Sequence, residues 1–222
     1  MKLLLTDSGI KNASIRSALV AMLGKPIEEC TALFSPTALH ADPRNANQAR
    51  RVVAGEEDRA PMIQLGWKSV GLLEIAALAA VGRDRWEPVL READVLLVDG
   101  GDALFLAHCM RACGLDQLLP ELDGLTYVGL SAGSMVMTPS IGAAFESWSP
   151  PDGSHETLGL VPFSMCPHVA FDGGDGNSIE QCEKWAAGIG RRAYLTDVNT
   201  AIAVVDGAET VISEGTWREL NA

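Results

Sequence analysis

The chain has 222 residues, 47% hydrophobic and 21% charged, which is enough for one α/β domain with a substantial core and too few for two full catalytic domains. Seventeen basic residues against 29 acidic ones give a formal charge of −12, with no Lys/Arg stripe to oppose it, so nucleic acid is excluded as an expected partner. No apolar run approaches the roughly twenty residues of a membrane helix, and no membrane association is expected.

Met1-Lys2-Leu3-Leu4-Leu5 imitates the start of a signal sequence, but its apolar stretch stops at Thr6-Asp7, and Lys2 to Thr6 reads as a first buried strand. A turn at Asp7-Ser8-Gly9 leads to a helix from about Asn12 to Leu23, with Ile15, Ala18, Leu19 and Met22 on one face. Thr31 to Ser35 gives a second strand, 36–45 a loop, 47–57 a helix, and Lys68 to Ile75 a third strand running into Ala76-Ala77-Leu78-Ala79-Ala80. Ala93 to Val98 is apolar apart from Asp94, the pattern of a central parallel strand covered on both faces, and it ends in Asp99-Gly100-Gly101-Asp102. A helix over 103–113 and a strand over 125–130 follow. This alternation predicts a mostly parallel sheet with helices on both faces, whose functional loops lie beyond the carboxyl ends of the strands. Residues 142–155 read as a surface excursion over the site, 162–169 as extended, 178–188 as helical, and the tail as short strands with a hairpin near Asp206-Gly207.

Gly129-Leu130-Ser131-Ala132-Gly133 follows the last of the central strands and precedes Ser134-Met135-Val136-Met137. Small residues on either side of a serine permit the tight strand-to-helix turn that mounts a nucleophile. The Ala132 amide would then face the oxyanion of a tetrahedral intermediate, and Gly100-Gly101 would let a second amide approach from the opposite side. Serine needs a base, and the candidates are His40, His108, His155 and His168. His108 lies within a predicted helix, and His40 and His155 in loops, where surface roles are favoured. His168 follows Pro167 at the end of a predicted strand, on the functional rim. The carboxylate that orients the imidazole is open among Glu146, Asp152, Glu156, Asp172 and Asp175. Cys30, Cys109, Cys113, Cys166 and Cys182 form an odd set without a CxxC pair, suggesting neither a disulfide framework nor structural zinc and fitting a reducing cytoplasm.

The order of Val98-Asp99-Gly100-Gly101-Asp102, the Ser131 elbow, Pro167-His168 37 residues further on, Leu195-Thr196-Asp197 and Ala201 to Gly207 resembles peptidase E, the aspartyl dipeptidases, and its larger relatives the cyanophycinases. The resemblance spans most of the chain. It implies a single catalytic domain over 1–222, a three-layer α/β/α sandwich of the class I glutamine amidotransferase-like type, and no metal or cofactor. Ser131 is implied as nucleophile, His168 as acid and base, Glu146 as the third member, and the Gly101 and Ala132 amides as oxyanion hole. The expected activity is release of an N-terminal residue, aspartate first, from short peptides, with a homodimer as a further implication.

Asp102 stands where peptidase E has Asn, and it is a candidate for binding the substrate's α-ammonium group. For a substrate β-carboxylate, Lys68, Arg83, Arg85, Arg191 and Arg192 are conceivable partners. An α/β-hydrolase esterase is a second reading, opposed by the short interval from Ser131 to His168. Cleavage of a branched Asp-Arg polymer is opposed by chain length. A catalytically silent binder of peptides or amino acids is motivated by Asp102 and by the 142–155 loop.

Overall fold

In the computed structural model, which describes residues 1–42, 45–56 and 62–221, the first strand β1 (Lys2–Thr6) leads to helix α1 (Ala13–Leu23) and strand β2 (Thr31–Ser35). Helix α2 (Ala46–Val53), strand β3 (Ser69–Leu72) and helices α3 (Ile75–Val81) and α4 (Arg83–Arg91) follow. The expected loop positions 43–44, the last residue of the expected 47–57 helix and Pro61 lie outside the described residues. Next come β4 (Val95–Val98), α5 (Ala103–Cys113), α6 (Leu115–Leu118), β5 (Thr126–Leu130) and the short α7 (Ala132–Met135). The chain closes with β6 (Ser164–Cys166), α8 (Ile179–Ile189), β7 (Ala193–Thr196), β8 (Thr200–Val205), β9 (Ala208–Ser213) and β10 (Trp217–Leu220).

Seven strands form one sheet in the order β3-β2-β4-β5-β1-β8-β9. The first five are parallel and β8 and β9 run antiparallel at one edge. Alternate side chains divide between two cores. Leu3, Leu5, Leu96 and Val98 join residues of α3 to α7 in one, while Leu4, Val95, Leu97 and Val128 join Ile15, Leu19 and Met22 of α1 in the other. Helices therefore cover both faces, and β4 is apolar throughout for that reason. Asn12 caps α1 by accepting from the Ile15 amide, and Ser178 with Gln181 forms a capping box on α8. Asp206 and Gly207, both at positive φ, make the expected hairpin between β8 and β9.

Two features depart from the sequence reading. The 68–75 segment is strand only to Leu72 and turns helical at Ile75, where the Ile75 amide donates to Thr37 Oγ1 at 2.9 Å. Tertiary capping ended a run whose β-branched and apolar residues suited either state. The second departure is a three-stranded sheet, β10-β7-β6, which supports the segment carrying His168.

The cysteine reading is corrected as well. Cys166, at the end of β6, and Cys182, on α8, are joined by a disulfide, while Cys30, Cys109 and Cys113 are free. The bridge lies in a small third core with Val169, Trp185, Ala193 and Leu195. Two cysteines 16 residues apart carry no pairing signal until a strand and a helix pack face to face. Cys182→Ser should lower the melting temperature by roughly 6–12 °C, corresponding to about 3 kcal/mol for a loop of this length. Dithiothreitol should bring the wild type down to the variant and leave the variant where it is, and a variant as stable as the oxidised wild type would oppose the bridge.

Candidate active site

The parallel register of β1 with β5 sets Thr6 opposite Leu130, so Asp7 and Ser131 leave adjacent strands side by side. Ser131 has φ 50 and ψ −111, a conformation disfavoured for a side-chain-bearing residue, and its backbone is held from both directions. Its N–H is 3.1 Å from both Thr6 O and Asp7 O, and its carbonyl accepts from the amides of Ser134 and Met135 at 2.8 Å. Tyr127 Oη donates to Gly133 O at 2.6 Å and Ser134 Oγ to Thr6 O at 2.8 Å, both within the core. The elbow glycines are required by close approach of backbones. A β-carbon at Gly129 would lie 2.4 Å from Gly133 O, and one at Gly133 would lie 2.3 Å from Val98 O.

His168 Nε2 lies 2.9 Å from Ser131 Oγ, and Nδ1 lies 2.9 Å from Asp7 Oδ1. Because Asp7 can only accept in its ionised form, Nδ1 carries the proton and Nε2 is left to accept from the serine hydroxyl. Asp7 is fully buried and grips His168 twice, since Oδ2 accepts the His168 backbone N–H at 2.7 Å as well. Thr196 Oγ1 donates to Oδ2 at 2.9 Å and Ser8 Oγ to Oδ1 at 2.8 Å. His168 itself sits at φ 58, with its carbonyl accepting from Asn177 N–H at 2.7 Å. Burial lowers the imidazole pKa, but the hydrogen bond to Asp7 and its charge outweigh burial and hold it above the usual histidine value.

Glu146 does not reach His168, a correction to the sequence reading. Its Oε1 lies 2.7 Å from Nδ1 of His155, an exposed histidine on the same loop. The remaining histidines are engaged elsewhere, His40 with Glu74 at 2.8 Å and His108 against the ring of Trp148. The acid beside His168 is thus 161 residues earlier in the chain. The available signal was its place immediately after the first strand, since strand exits in a parallel sheet converge on one edge.

Asp102 is also corrected. It is 3% exposed, its Oδ1 caps α5 by accepting from Phe105 N at 2.8 Å, and its Oδ2 accepts from Trp148 N at 2.7 Å and from the Ser147 hydroxyl. With these donors it holds the 142–155 loop onto α5, where Trp148 packs edge-on against Phe105. Both oxygens are thus engaged within the fold.

Gly101, at φ 135, lies so close to the turn at Ala38 that a β-carbon there would be 2.3 Å from Ala38 O, and the next amide, Asp102 N–H, bonds that oxygen at 2.9 Å. Among the described residues neither the Gly101 nor the Ala132 amide has a hydrogen-bond acceptor. Ala132 is the first residue of α7, whose N–H has no partner within the helix. A cleft of about 610 Å³ opens beside His168, lined by Asp172, Asp175 and Asp197 and, among the described residues, neither by Ser131 nor by any Lys or Arg. A larger cavity, about 690 Å³, lies behind the Cys166–Cys182 bridge and includes neither Ser131 nor His168. Of the cations considered for a substrate carboxylate, Arg83 is paired with Glu87 and Arg192 with Glu209. Among the described residues no cluster of His, Cys, Asp or Glu could hold a metal, and no helix is long and apolar enough to cross a membrane.

The fold is a mostly parallel α/β fold shared with a peptidase from an acI-B1 Actinobacterium, which superposes with a TM-score of 0.67 over 100% of this chain and 94% of its own, at 20% identity. The model of peptidase family S51 matches residues 3–215, and the chain belongs to that family. Peptidase E of Streptomyces coelicolor is 38% identical over 81 residues, 36% of this chain and 33% of that one. A Drosophila melanogaster protein named "Probable alpha-aspartyl dipeptidase" is 39% identical over 85 residues, 37% of this chain and 35% of that one. The matched part of the chain therefore spans about a third of the length of these curated relatives.

A fluorophosphonate should label Ser131, and Asp7→Asn should slow labelling by roughly a thousandfold or more, because an amide partner favours the wrong tautomer. Glu146→Gln should change the rate less than about threefold, and reversal of these two results would return the role to Glu146. Labelling needs neutral His168, so the rate should fall as pH drops through a midpoint above the ordinary 6.5. Removing the Asp7 charge should move that midpoint down, as burial alone then acts.

Proposed function

We propose that this S51 peptidase is a serine exopeptidase that releases the first residue of short peptides through an acyl-enzyme on Ser131. The observation that carries this reading is the unbroken hydrogen-bonded path from Ser131 through His168 to Asp7, with 2.9 Å on each side of the ring. Ser131 Oγ attacks the scissile carbonyl as its proton passes to His168 Nε2. Asp7 stabilises the imidazolium, and the Gly101 and Ala132 amides donate to the oxyanion. The imidazolium then protonates the leaving amine, and water attacks the ester by the same route in reverse.

Aspartate as the first residue is a preference suggested by the name of the Drosophila melanogaster relative. Among the described residues no Lys or Arg lines the cleft beside His168, and a broader preference is the competing form of the same proposal. The glutamine amidotransferase-like relationship and a homodimer are proposed from the resemblance alone.

Incubation with Asp-Leu, Leu-Leu and N-acetyl-Asp-Leu tests the reading. Cleavage of the two free dipeptides is expected, with Ser131→Ala reducing kcat by roughly ten-thousandfold or more. Inert peptides together with rapid hydrolysis of simple acyl esters would replace the peptidase by an esterase.

A further inference from the structure

Three aspartates stand at the strand exits around Ser131, and they differ in what satisfies them. Asp7 receives four hydrogen bonds and Asp102 three. Asp99 receives one, from the adjacent Gly100 amide to Oδ1 at 2.8 Å, and among the described residues Oδ2 has no partner. The residue is only 6% exposed, and no charged side chain compensates it. Burial pushes its carboxyl up to about 6, against the pull of the Gly100 amide. A nearly buried acid left without a cation is costly to a fold, and such groups concentrate where a ligand supplies the missing charge.

The position of Asp99 identifies that ligand. A β-carbon at Gly100 would lie 3.4 Å from Ser131 Cβ, and one at Gly133 would lie 2.9 Å from Asp99 O, so the Asp99 backbone is wedged against the elbow. In a peptide with a free amino terminus, the ammonium nitrogen is two bonds, about 2.5 Å, from the carbonyl carbon that Ser131 would attack. A cation so close to the reacting carbon calls for an acid beside the nucleophile. Asp7 and Asp102 are already occupied, and Asp172, Asp175 and Asp197 line the cleft beside His168, whose lining does not include Ser131.

We propose that the Asp99 carboxylate receives the α-ammonium group of the peptide's first residue and so makes this site selective for free amino termini. The proposal rests on the serine peptidase reading and extends it to a specificity residue. A charge-assisted hydrogen bond of this kind joins a formal anion to a formal cation, and an N-acetyl group supplies neither the charge nor the fit.

The deciding quantity is the ratio of kcat/KM for leucine p-nitroanilide to that for its N-acetyl form, measured in wild type and in Asp99→Asn. The ratio should favour the free amine in wild type and fall by about tenfold to a hundredfold in the variant. A structural role would depress both substrates together and leave the ratio unchanged, which would overturn the proposal. So would a variant that lost only cleavage of N-acetyl-lysine p-nitroanilide, because Asp99 would then serve a side chain. Should Asp99→Asn fail to fold, protection of wild-type Ser131 from fluorophosphonate labelling decides. Leucinamide should protect at a concentration at least about tenfold below that of N-acetyl-leucinamide, and equal protection, or none by either, refutes the assignment. Absence of labelling without any amide would remove the serine reading itself, a failure distinguishable from that of Asp99 alone.

Discussion

The site depends on one adjacency, the parallel pairing of β1 with β5. That register presents the carbonyls of Thr6 and Asp7 to the Ser131 N–H and holds a serine in a conformation that its own side chain disfavours. The strain is tolerated because the surroundings over-determine it. Backbone bonds on both sides of Ser131, the Tyr127 and Ser134 hydroxyls, and the glycine contacts with β4 leave no room for the turn to relax. His168 is treated in the same way, with positive φ and backbone bonds before and after it. One carboxylate, Asp7, binds both the ring and the main chain of that histidine, so the residue that sets the tautomer also sets the position.

The same physics separates acids of similar appearance. Asp102 looks like a binding group in the sequence but serves as a helix cap and loop anchor, because three donors converge on it. Asp99, three positions earlier, has no such convergence and keeps an oxygen unanswered. Burial of both residues is nearly equal, 3% against 6%, so partner count and not exposure distinguishes structure from recognition here. The small second sheet and the Cys166–Cys182 bridge then act as a buttress, fixing the approach of Pro167-His168 from a part of the chain remote from the main sheet.

Local patterns made much of this legible. Continuous apolarity in Val95 to Val98 marks a strand with two covered faces, and the glycines around Ser131 mark a turn that brings backbones into contact. Pro167-His168 at a strand end was readable for the same reason. Other features were not. The α4 helix, with Pro88 inside it, buries only Trp86 and Leu90, too few apolar positions to announce it. Glu146 was close to the serine in the chain and Asp7 was far from it, but sheet order, not chain separation, decides which acid meets the imidazole.

Sequence by itself determined the mostly parallel α/β character and marked the elbow at Ser131 and the strand-end position of His168, because each rests on hydrophobic period, backbone freedom or position at a strand end, properties local to a few residues. Tertiary structure alone decided that Asp7 orients the imidazole, that Glu146 and Asp102 are engaged elsewhere, and that Cys166 meets Cys182. Those outcomes are set by strand register and by helix packing, which bring distant positions within hydrogen-bonding or bonding distance and have no short-range signature in the chain.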